Sequence, residues 1–581
     1  MKLPIREYIV LLHKYLKKYK TNMIILMIIL GLNVAIQLIN PQILRYFIDE
    51  VQGDNGGKNL MVAALLFIGF ALIKQLFIVI ATYISENIGW SATNGLRVDL
   101  IEHCINLDVD FHKKHQSGEL VERVDGDVNA LFRFFSTFML DLLTNGALLI
   151  GIVFLLFKEE IRVGIVVSIF IIASVIVMGY IEKKSSKYWT EQRENSAKLY
   201  GFLGEQVTSV EDINTCGAKD YVMNKLYKIF RKMLPIQVKA DMGYYHMWMG
   251  NLVIFSMANV MALLLSAYLY ENSMITFGTV YLIFYYTELI VNPLEEIKMQ
   301  MQDLQKAEAS IRRIKELFDT KSNISYGNET ICSEDTMNLS VKNICFEYEK
   351  GDMILKNISF DLPQNKILGV LGHTGSGKTT LARLIVRLYD ITSGAITLEK
   401  KNIKDIRKED LIKNISYVTQ EVEIFHATVK DNLTLFNCNI KDEEILEVIE
   451  DMGLMPWLNK LPDGIYTILE SGGSGLSAGE AQLLAFIRVF LKNPKLVILD
   501  EATSRLDPIT EELIEKALNK LLSNRTAIII AHRLWTVQRA DDILILDKGN
   551  IKEYGPREQL EIDENSQFYN LLRKGMEEVL V

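Results

Sequence analysis

Six apolar stretches in the first half of the chain have the length and composition of membrane-crossing segments. About 20 helical residues cross the roughly 30 Å of hydrocarbon in a bilayer. Inside lipid the backbone must satisfy its own hydrogen bonds, so an isolated stretch of this kind folds as an α-helix. The sequence therefore predicts an all-α membrane domain with six helices, over residues 23–47, 60–85, 138–157, 163–180, 247–270 and 277–291.

Positive charge is distributed unevenly around these stretches. Lysines cluster in residues 5–20, before the first span, and again at Lys183, Lys184 and Lys187, after the fourth. Loops rich in Lys and Arg stay on the cytoplasmic side of a membrane. The asymmetry predicts a multi-pass protein of the cell membrane with both termini in the cytoplasm, and residues 5–20 read as an interfacial helix.

A glycine-rich octapeptide in the second half, residues 372–379, fits the pattern G-x-x-x-x-G-K-[ST]. The apolar run 367–371 precedes it as a buried strand, and 380–389 follows as an amphipathic helix. Such a loop turns backbone N–H groups towards phosphate oxygens, and the helix N-terminus adds its positive end. Lys378 is expected to reach the β- and γ-phosphates, and Thr379 to bind Mg²⁺. The residues expected to contact the nucleotide here are Gly372, Gly375, Ser376, Gly377, Lys378, Thr379 and Thr380.

A second element of this chemistry is the apolar run 496–499, which ends in Asp500 and is followed at once by Glu501. A carboxylate at the end of a buried strand suits a Mg²⁺ ligand. The next carboxylate is placed to polarise an attacking water. In isolation this pair would indicate only an acidic turn, but beside the phosphate loop it predicts hydrolysis of a nucleoside triphosphate.

Together these residues resemble the nucleotide-binding domain of ABC transporters. Residues 476–480 are similar to the family's LSGGQ signature and lie between the phosphate loop and the acidic strand, as in the family. The resemblance implies that Gln420 contacts Mg²⁺ and reports the nucleotide state. It also implies that His532 is the switch histidine and that Tyr348 stacks on adenine.

The same resemblance assigns residues to a site shared by two subunits. Ser477 and Gly479 of the signature are expected to face the γ-phosphate of ATP held by the partner, and Asp507 lies in a segment similar to the D-loop. The chain departs from the family at Ala478 and Glu480, where Gly and Gln are usual, and at Arg505. These departures favour a heterodimer with a related half-transporter, and a homodimer remains open.

The membrane half also resembles the exporter-type members of this family. Residues 108–112 and 118–127 match the pattern of the first intracellular loop, and 214–220 lies where the second coupling helix is expected. The resemblance implies a six-helix transmembrane domain fused to an α/β P-loop ATPase domain. The expected boundaries are 1–320 for the membrane domain, 321–338 for a linker and 339–581 for the ATPase.

Composition excludes some classes of function. The chain has 581 residues, of which 49% are hydrophobic, and a formal net charge of −9. An acidic chain without a basic stripe argues against nucleic-acid binding. Its five cysteines are scattered and show no metal-ligand spacing, which favours reduced thiols.

Ionisable and aromatic residues within the spans are the candidates for contact with cargo. Charged groups inside a membrane are costly and usually face an interior or a water-filled cavity. The alternative is that they lie near span ends or pair structurally. The candidates by depth are Lys74, Asp141, Glu288, Tyr281, Tyr285 and Tyr286.

We therefore expect an ATP-hydrolysing transporter subunit that uses ATP and Mg²⁺ and exports a small amphipathic compound, a peptide or a lipid. Import on the same scaffold and an ATP-gated channel or regulatory subunit are the alternatives. Catalysis is expected from Glu501, His532 and Gln420, and metal binding from Thr379, Gln420 and Asp500.

Overall fold

The computed structural model describes residues 14–52, 58–331, 337–349, 351–473, 476–500, 508–531 and 534–574. The chain divides into two compact units. The first unit comprises Met1–Ile105 and Gln116–Thr320, and the second comprises Asn106–His115 and Lys321–Val581. The short segment Asn106–His115 thus groups with the second unit, although it lies within the range expected for the membrane domain.

The first unit is helical. Its helices, together with α3 of the second unit, are α1 (Lys20–Gln52), α2 (Lys58–Asn106), α3 (Val109–Lys114), α4 (Ser117–Val121), α5 (Val128–Thr137), α6 (Leu143–Glu159), α7 (Ile161–Thr208), α8 (Val210–Thr215), α9 (Lys219–Glu271), α10 (Phe277–Leu289) and α11 (Val291–Asp319). Two π-helical turns, Glu122–Asp127 and Phe138–Leu142, flank α5.

Five helical segments among the described residues are long and apolar enough to cross a membrane: Lys14–Gln52, Asn59–Asn106, Leu140–Glu159, Ile161–Thr208 and Lys219–Glu271. They correspond to the first five predicted spans. The sixth prediction, 277–291, corresponds to α10, which has only 13 residues before the chain passes Ile290 into α11. Pro293 lies in the first turn of α11, where its missing N–H group is tolerated, and it favours a helix boundary just before it.

Three of these helices are much longer than a bilayer is thick. Helices α2, α7 and α9 contain 49, 48 and 53 residues. At about 1.5 Å per residue each extends roughly 70–80 Å, more than twice the hydrocarbon thickness. Their polar ends therefore project well outside lipid.

Packing within the first unit centres on a cluster of fully buried side chains. Helices α7 and α9 contact each other along much of their length, and α10 packs against α1 and α9. Ile152, Leu156, Leu269 and Tyr286 are completely buried in this cluster. The Tyr286 hydroxyl donates to the carbonyl of Leu38 at 2.7 Å, so this tyrosine joins two helices and does not face a passage.

The second unit contains two main sheets. Its strands are β1 (Leu339–Glu347), β2 (Met353–Leu362), β3 (Ile367–Gly372), β4 (Ser393–Leu398), β5 (Lys401–Asn402), β6 (Ile415–Val418), β7 (Ala427–Thr428), β8 (Ile468–Leu469), β9 (Leu496–Asp500), β10 (Thr526–Ile530), β11 (Asp542–Asp547) and β12 (Asn550–Pro556). Strands β2-β1-β4-β5 form an antiparallel sheet, and β12-β11-β3-β10-β9-β6 form a second, mostly parallel sheet.

Helices follow several strands of the parallel sheet, as expected for an α/β fold. The helices of this unit after the linker are α12 (Lys378–Ile385), α13 (Lys408–Asn414), α14 (Val429–Thr434), α15 (Asp442–Asp451), α16 (Met455–Leu458), α17 (Ala478–Lys492), α18 (Pro508–Leu522), α19 (Leu534–Val537), α20 (Arg557–Ile562) and α21 (Gln567–Lys574). Strands β3 and β9 both run parallel to β10, so their carboxyl ends meet at one edge of the sheet. Ligands of such sheets bind beyond that edge.

Candidate nucleotide site

The loop between β3 and α12 has the backbone shape that a phosphate cradle requires. Gly375 and Gly377 adopt φ values of 80° and 103°, in the left-handed region that favours glycine. A Cβ on Gly377 would also meet the Leu355 side chain at 2.5 Å. Glycine at this position thus allows the loop to curl over the N-terminus of α12.

Lys378 opens α12 and turns back into the loop. Its side chain is buried, and its Nζ donates to the carbonyls of Gly372 at 2.6 Å and His373 at 3.1 Å. These carbonyls hold the ammonium at the centre of the loop. Gly372 contributes through its carbonyl and its place at the end of β3.

A cavity of about 500 Å³ opens above this loop, which is within the usual range for small-molecule sites. It brings together residues from five separate parts of the chain: the segment after β1, strand β2, the phosphate loop with the start of α12, the segment after β6 and the end of β9. Its lining residues are Tyr348, Ile354, Thr374, Gly375, Ser376, Gly377, Lys378, Thr379, Thr380, Gln420 and Asp500.

The residues present fit a nucleoside triphosphate and Mg²⁺. Ser376 is buried in the loop, and its hydroxyl has no hydrogen-bond partner in the described structure, as a phosphate donor awaiting its acceptor would be. Thr379, Gln420 and Asp500 supply a hydroxyl, an amide and a carboxylate to the same cavity. Oxygen ligands of these kinds are those that Mg²⁺ prefers.

Asp500 has a neighbour that the sequence did not reveal. The Tyr417 hydroxyl on β6 donates to Asp500 Oδ2 at 2.9 Å. Burial raises the pKa of the Tyr417 phenol far above its ordinary value, and the charge of Asp500 raises it further. The hydroxyl therefore keeps its proton and orients one carboxylate oxygen. The only signal in the sequence was a polar hydroxyl within a short apolar strand three residues before Gln420.

Tyr348, another residue that lines the cavity, is held in place by its neighbours. Its hydroxyl lies 3.3 Å from Thr380 Oγ1, and its ring meets those of Phe346 and Tyr389 edge to face, at 4.8 Å and 5.2 Å. Burial disfavours the charged Arg383 guanidinium nearby, yet the phenols of Tyr348 and Tyr417 leave its pKa above the ordinary value. These contacts hold the Tyr348 ring in a fixed orientation on one side of the cavity.

The signature residues are not among those that line the cavity in the described part of the chain. Ser477 caps α17, and its Oγ accepts from the Glu480 backbone N–H at 3.2 Å. The Glu480 carboxylate accepts from the Ser477 N–H at 2.8 Å, which completes a capping box. Glu480 therefore has a structural use at a position where the family usually has glutamine. Gly479 is buried in the first turn of the same helix.

Three predicted residues lie outside the described residues: Glu501, Asp507 and His532. The departure at Arg505 lies there as well. Asp500, the last described residue of β9, leads directly into the first of these segments. Their roles stay predictions.

The intramembrane candidates fall into different environments. Asp141 is half-buried and accepts from the Gln300 side chain at 3.3 Å. Glu288 is exposed, and Lys74 is half-buried. The Tyr281 and Tyr285 rings lie 6.0 Å apart, and both side chains are partly exposed, in contrast to Tyr286.

Fold and site together define a multi-pass membrane protein fused to a P-loop nucleotide-binding domain. Comparison with known families agrees. Residues 23–294 match the model described as "ABC transporter transmembrane region", and residues 355–504 match the model described as "ABC transporter". The chain belongs to the ABC transporter family and has the arrangement of an exporter-type half-transporter.

Individual relatives align over nearly the whole chain. An uncharacterized ABC transporter ATP-binding protein, YknV, of Bacillus subtilis (strain 168) is 29% identical over 559 residues, covering 94% of this chain and 91% of its own. A multidrug resistance ABC transporter ATP-binding and permease protein of Lactococcus lactis subsp. lactis (strain IL1403) is 27% identical, covering 90% and 88%. The solved structure of a bacterial Atm1-family ABC exporter with ATP bound has a TM-score of 0.82 at 20% identity, covering 95% of this chain and 99% of that one.

Proposed function

We propose that this chain is one half of a dimeric ABC exporter that hydrolyses ATP to move a small amphipathic compound, a peptide or a lipid out of the cell. The observation that carries the proposal is the single cavity in which the phosphate loop, Gln420, Asp500 and Tyr348 meet. This cavity belongs to a chain that also contains five membrane-length helical segments among its described residues.

The residues of the cavity divide the work. Lys378 and the loop N–H groups bind the phosphates, and Tyr348 positions the adenine ring. Thr379, Gln420 and Asp500 would hold Mg²⁺, which neutralises charge on the β- and γ-phosphates when bound. Glu501 orients the attacking water, and His532 stabilises the charge on the phosphoryl group during its transfer.

The dimer completes this site. The position of Ser477 at the N-terminus of α17, away from the cavity of its own chain, supports its use on a partner's nucleotide. Its hydroxyl accepts from Glu480, which leaves the hydroxyl proton free to be donated to a phosphate oxygen. The altered signature favours a heterodimer with a related half-transporter, and both termini face the cytoplasm.

Export of an amphipathic compound is favoured by the relatives. The Lactococcus lactis relative is named for multidrug resistance, and the Atm1-family structure is named as an exporter. Tyr281 and Tyr285, partly exposed on α10, supply a surface of mixed aromatic and polar character for such a cargo.

Inside-out proteoliposomes containing the dimer that purifies through a tag on this chain test the proposal. With MgATP outside and the amphipathic dye Hoechst 33342 as probe, along with a fluorescent phospholipid and a fluorescent peptide, we expect at least one probe to accumulate in the lumen. Glu501→Gln should abolish both accumulation and phosphate release. Glu512→Gln, which alters an exposed carboxylate paired with Lys516, should leave both unchanged.

Each alternative has its own outcome in the same vesicles. ATP-dependent loss of preloaded probe would indicate import. Flux that persists in Glu501→Gln would indicate a gated channel. Co-expression of the tagged chain with a related half-transporter decides the partner, because an active species of this chain alone would exclude the heterodimer.

A further inference from the structure

The segment Asn106–His115 is anchored in the second unit. Asp108 accepts from the Phe111 N–H at 2.9 Å, which caps α3, and from the Asn323 N–H at 2.7 Å. Val109 packs against the hydrophobic cluster that contains β1 and β3 side chains, and Phe111 is buried. The segment nevertheless joins α2 to α4 along the chain; α2 lies almost wholly in the first unit and α4 lies entirely in it.

Lys113 extends from α3 to the aromatic wall of the nucleotide cavity. Its Nζ lies 4.7 Å from the ring centroid of Tyr348 and 5.3 Å from that of Tyr389. The two rings are nearly perpendicular, at 86°, so the ammonium sits in an aromatic corner. Distances below about 6 Å give an attractive cation–π contact.

Tyr348 is thus constrained from two directions. Its hydroxyl lies beside Thr380 of the phosphate-loop helix, and its ring carries the Lys113 ammonium. An adenine that stacks on the Tyr348 ring fixes the orientation of that ring. Any change in the orientation of the ring changes its distance to the Lys113 ammonium. Adenine stacking and the placement of α3 are therefore coupled through one side chain, and such coupling acts equally in both directions.

We propose that Lys113 is a positioning residue for the adenine of ATP, through which base stacking on Tyr348 fixes the segment Asn106–His115. The proposal rests on the proposed role of Tyr348 in the site. According to this proposal, the adenine base, as well as the phosphates, helps to hold the segment that joins α2 to α4.

Binding measurements on the full-length protein in lipid nanodiscs test this. We compare Mg·ATPγS with Mg·tripolyphosphate, which lacks the base. Lys113→Gln should weaken Mg·ATPγS binding about three- to tenfold and leave Mg·tripolyphosphate binding within about twofold. Lys114→Gln is the matched control, because Lys114 lies on the same helix and pairs with Asp110 at 2.7 Å, and it should change neither ligand.

A double-mutant cycle locates the effect. In a Tyr348→Ala background, Lys113→Gln should cause no further loss of Mg·ATPγS affinity, because the contact is already absent. An equal loss in both backgrounds, or an equal loss for both ligands, would overturn the proposal. If wild-type protein failed to bind Mg·ATPγS at all, the proposed nucleotide site would fail as well. Normal binding with no effect of Lys113→Gln would remove only this inference.

Amide hydrogen exchange tests the reverse effect, that of nucleotide binding on the segment Asn106–His115. Mg·ATPγS should slow amide exchange in the segment Asn106–His115 of the wild type and of Lys114→Gln, but slow it much less in Lys113→Gln. Mg·tripolyphosphate should have little effect in any of them. Protection that is the same in all three proteins would contradict the coupling.

Discussion

Arg313 on α11 donates two hydrogen bonds to the carboxylate of Asp127, one of them from Nε at 2.9 Å and the other from Nη2. Asp127 ends the π-helical turn Glu122–Asp127, and its side chain is only 3% exposed. The Asp127 hydrogen bonds are the largest cause of a raised pKa for the Arg313 guanidinium. This bidentate pair ties α11 to the turn that precedes α5.

Breaking this pair should destabilise the first unit. Asp127→Asn leaves the guanidinium without its compensating charge, and we expect a loss of about 2 kcal/mol in unfolding free energy. Thermal unfolding in detergent measures it. Arg312→Gln is the control, because Arg312 is exposed and its ion pair is with Glu316 in the next turn, so its loss should stay below about 0.5 kcal/mol. Equal shifts in the two variants would contradict the assignment.

Tyr417→Phe should weaken metal binding at the proposed Mg²⁺ site without unfolding the domain. The hydroxyl that orients Asp500 is lost, and removal of such an outer partner typically costs 10- to 100-fold in metal affinity, so we expect about tenfold. Mn²⁺ binding followed by EPR in the presence of ATPγS reports it directly. Tyr389→Phe is the matched control, since the Tyr389 hydroxyl has no hydrogen-bond partner in the described structure. Unchanged Mn²⁺ affinity in Tyr417→Phe would show that Asp500 needs no such support.

Glu480→Gln should separate the two effects of this residue. Glutamine also serves in a capping box, so the midpoint of thermal unfolding should stay the same. Removal of a negative charge near the triphosphate that the partner is proposed to hold should lower KM for ATP, by roughly two- to fivefold. Steady-state phosphate release measures KM. Glu480→Ala provides the contrast: it also removes the charge, but it should cost about 0.5–1 kcal/mol in stability through loss of the cap. A KM that did not change in Glu480→Gln would show that the carboxylate is not felt at the nucleotide.

Tyr286→Phe should reduce stability, whereas Tyr285→Phe should not. The Tyr286 hydroxyl is buried and bonded to the Leu38 carbonyl, so its removal should cost about 1 kcal/mol. Tyr285 is partly exposed on the same helix. Thermal unfolding of the two variants side by side decides the point, and a larger shift for Tyr285→Phe would reverse the assignment.

Local sequence was sufficient for the elements that carry the site. The apolar run 496–499 with its terminal carboxylate is β9, residue for residue, because a strand buried on both faces reads as a continuous hydrophobic run. The phosphate loop was also predicted from local sequence, because its spaced glycines and its lysine are required by one particular loop conformation. Spans one to five were predicted from local sequence as well, because each is one long apolar stretch.

Relationships across the fold were beyond the sequence. Tyr417 meets a residue 83 positions later, and this contact depends on the register between β6 and β9. Lys113 reaches Tyr348 only because Asn106–His115 groups with the second unit, and no local pattern encodes that. The sequence named Tyr286 only as a candidate for contact with cargo, because a tyrosine in an apolar helix looks the same whether its hydroxyl meets water or, as here, a backbone carbonyl.

Helix α9 has a mechanical consequence. Its 53 residues form a rod about 80 Å long, of which roughly 30 Å fits within hydrocarbon. A tilt of about 10° about one end would move the other end by about 14 Å, several times the width of a water molecule. Pro235 removes one backbone hydrogen bond within this rod, so any flexing of the lever is expected to concentrate there.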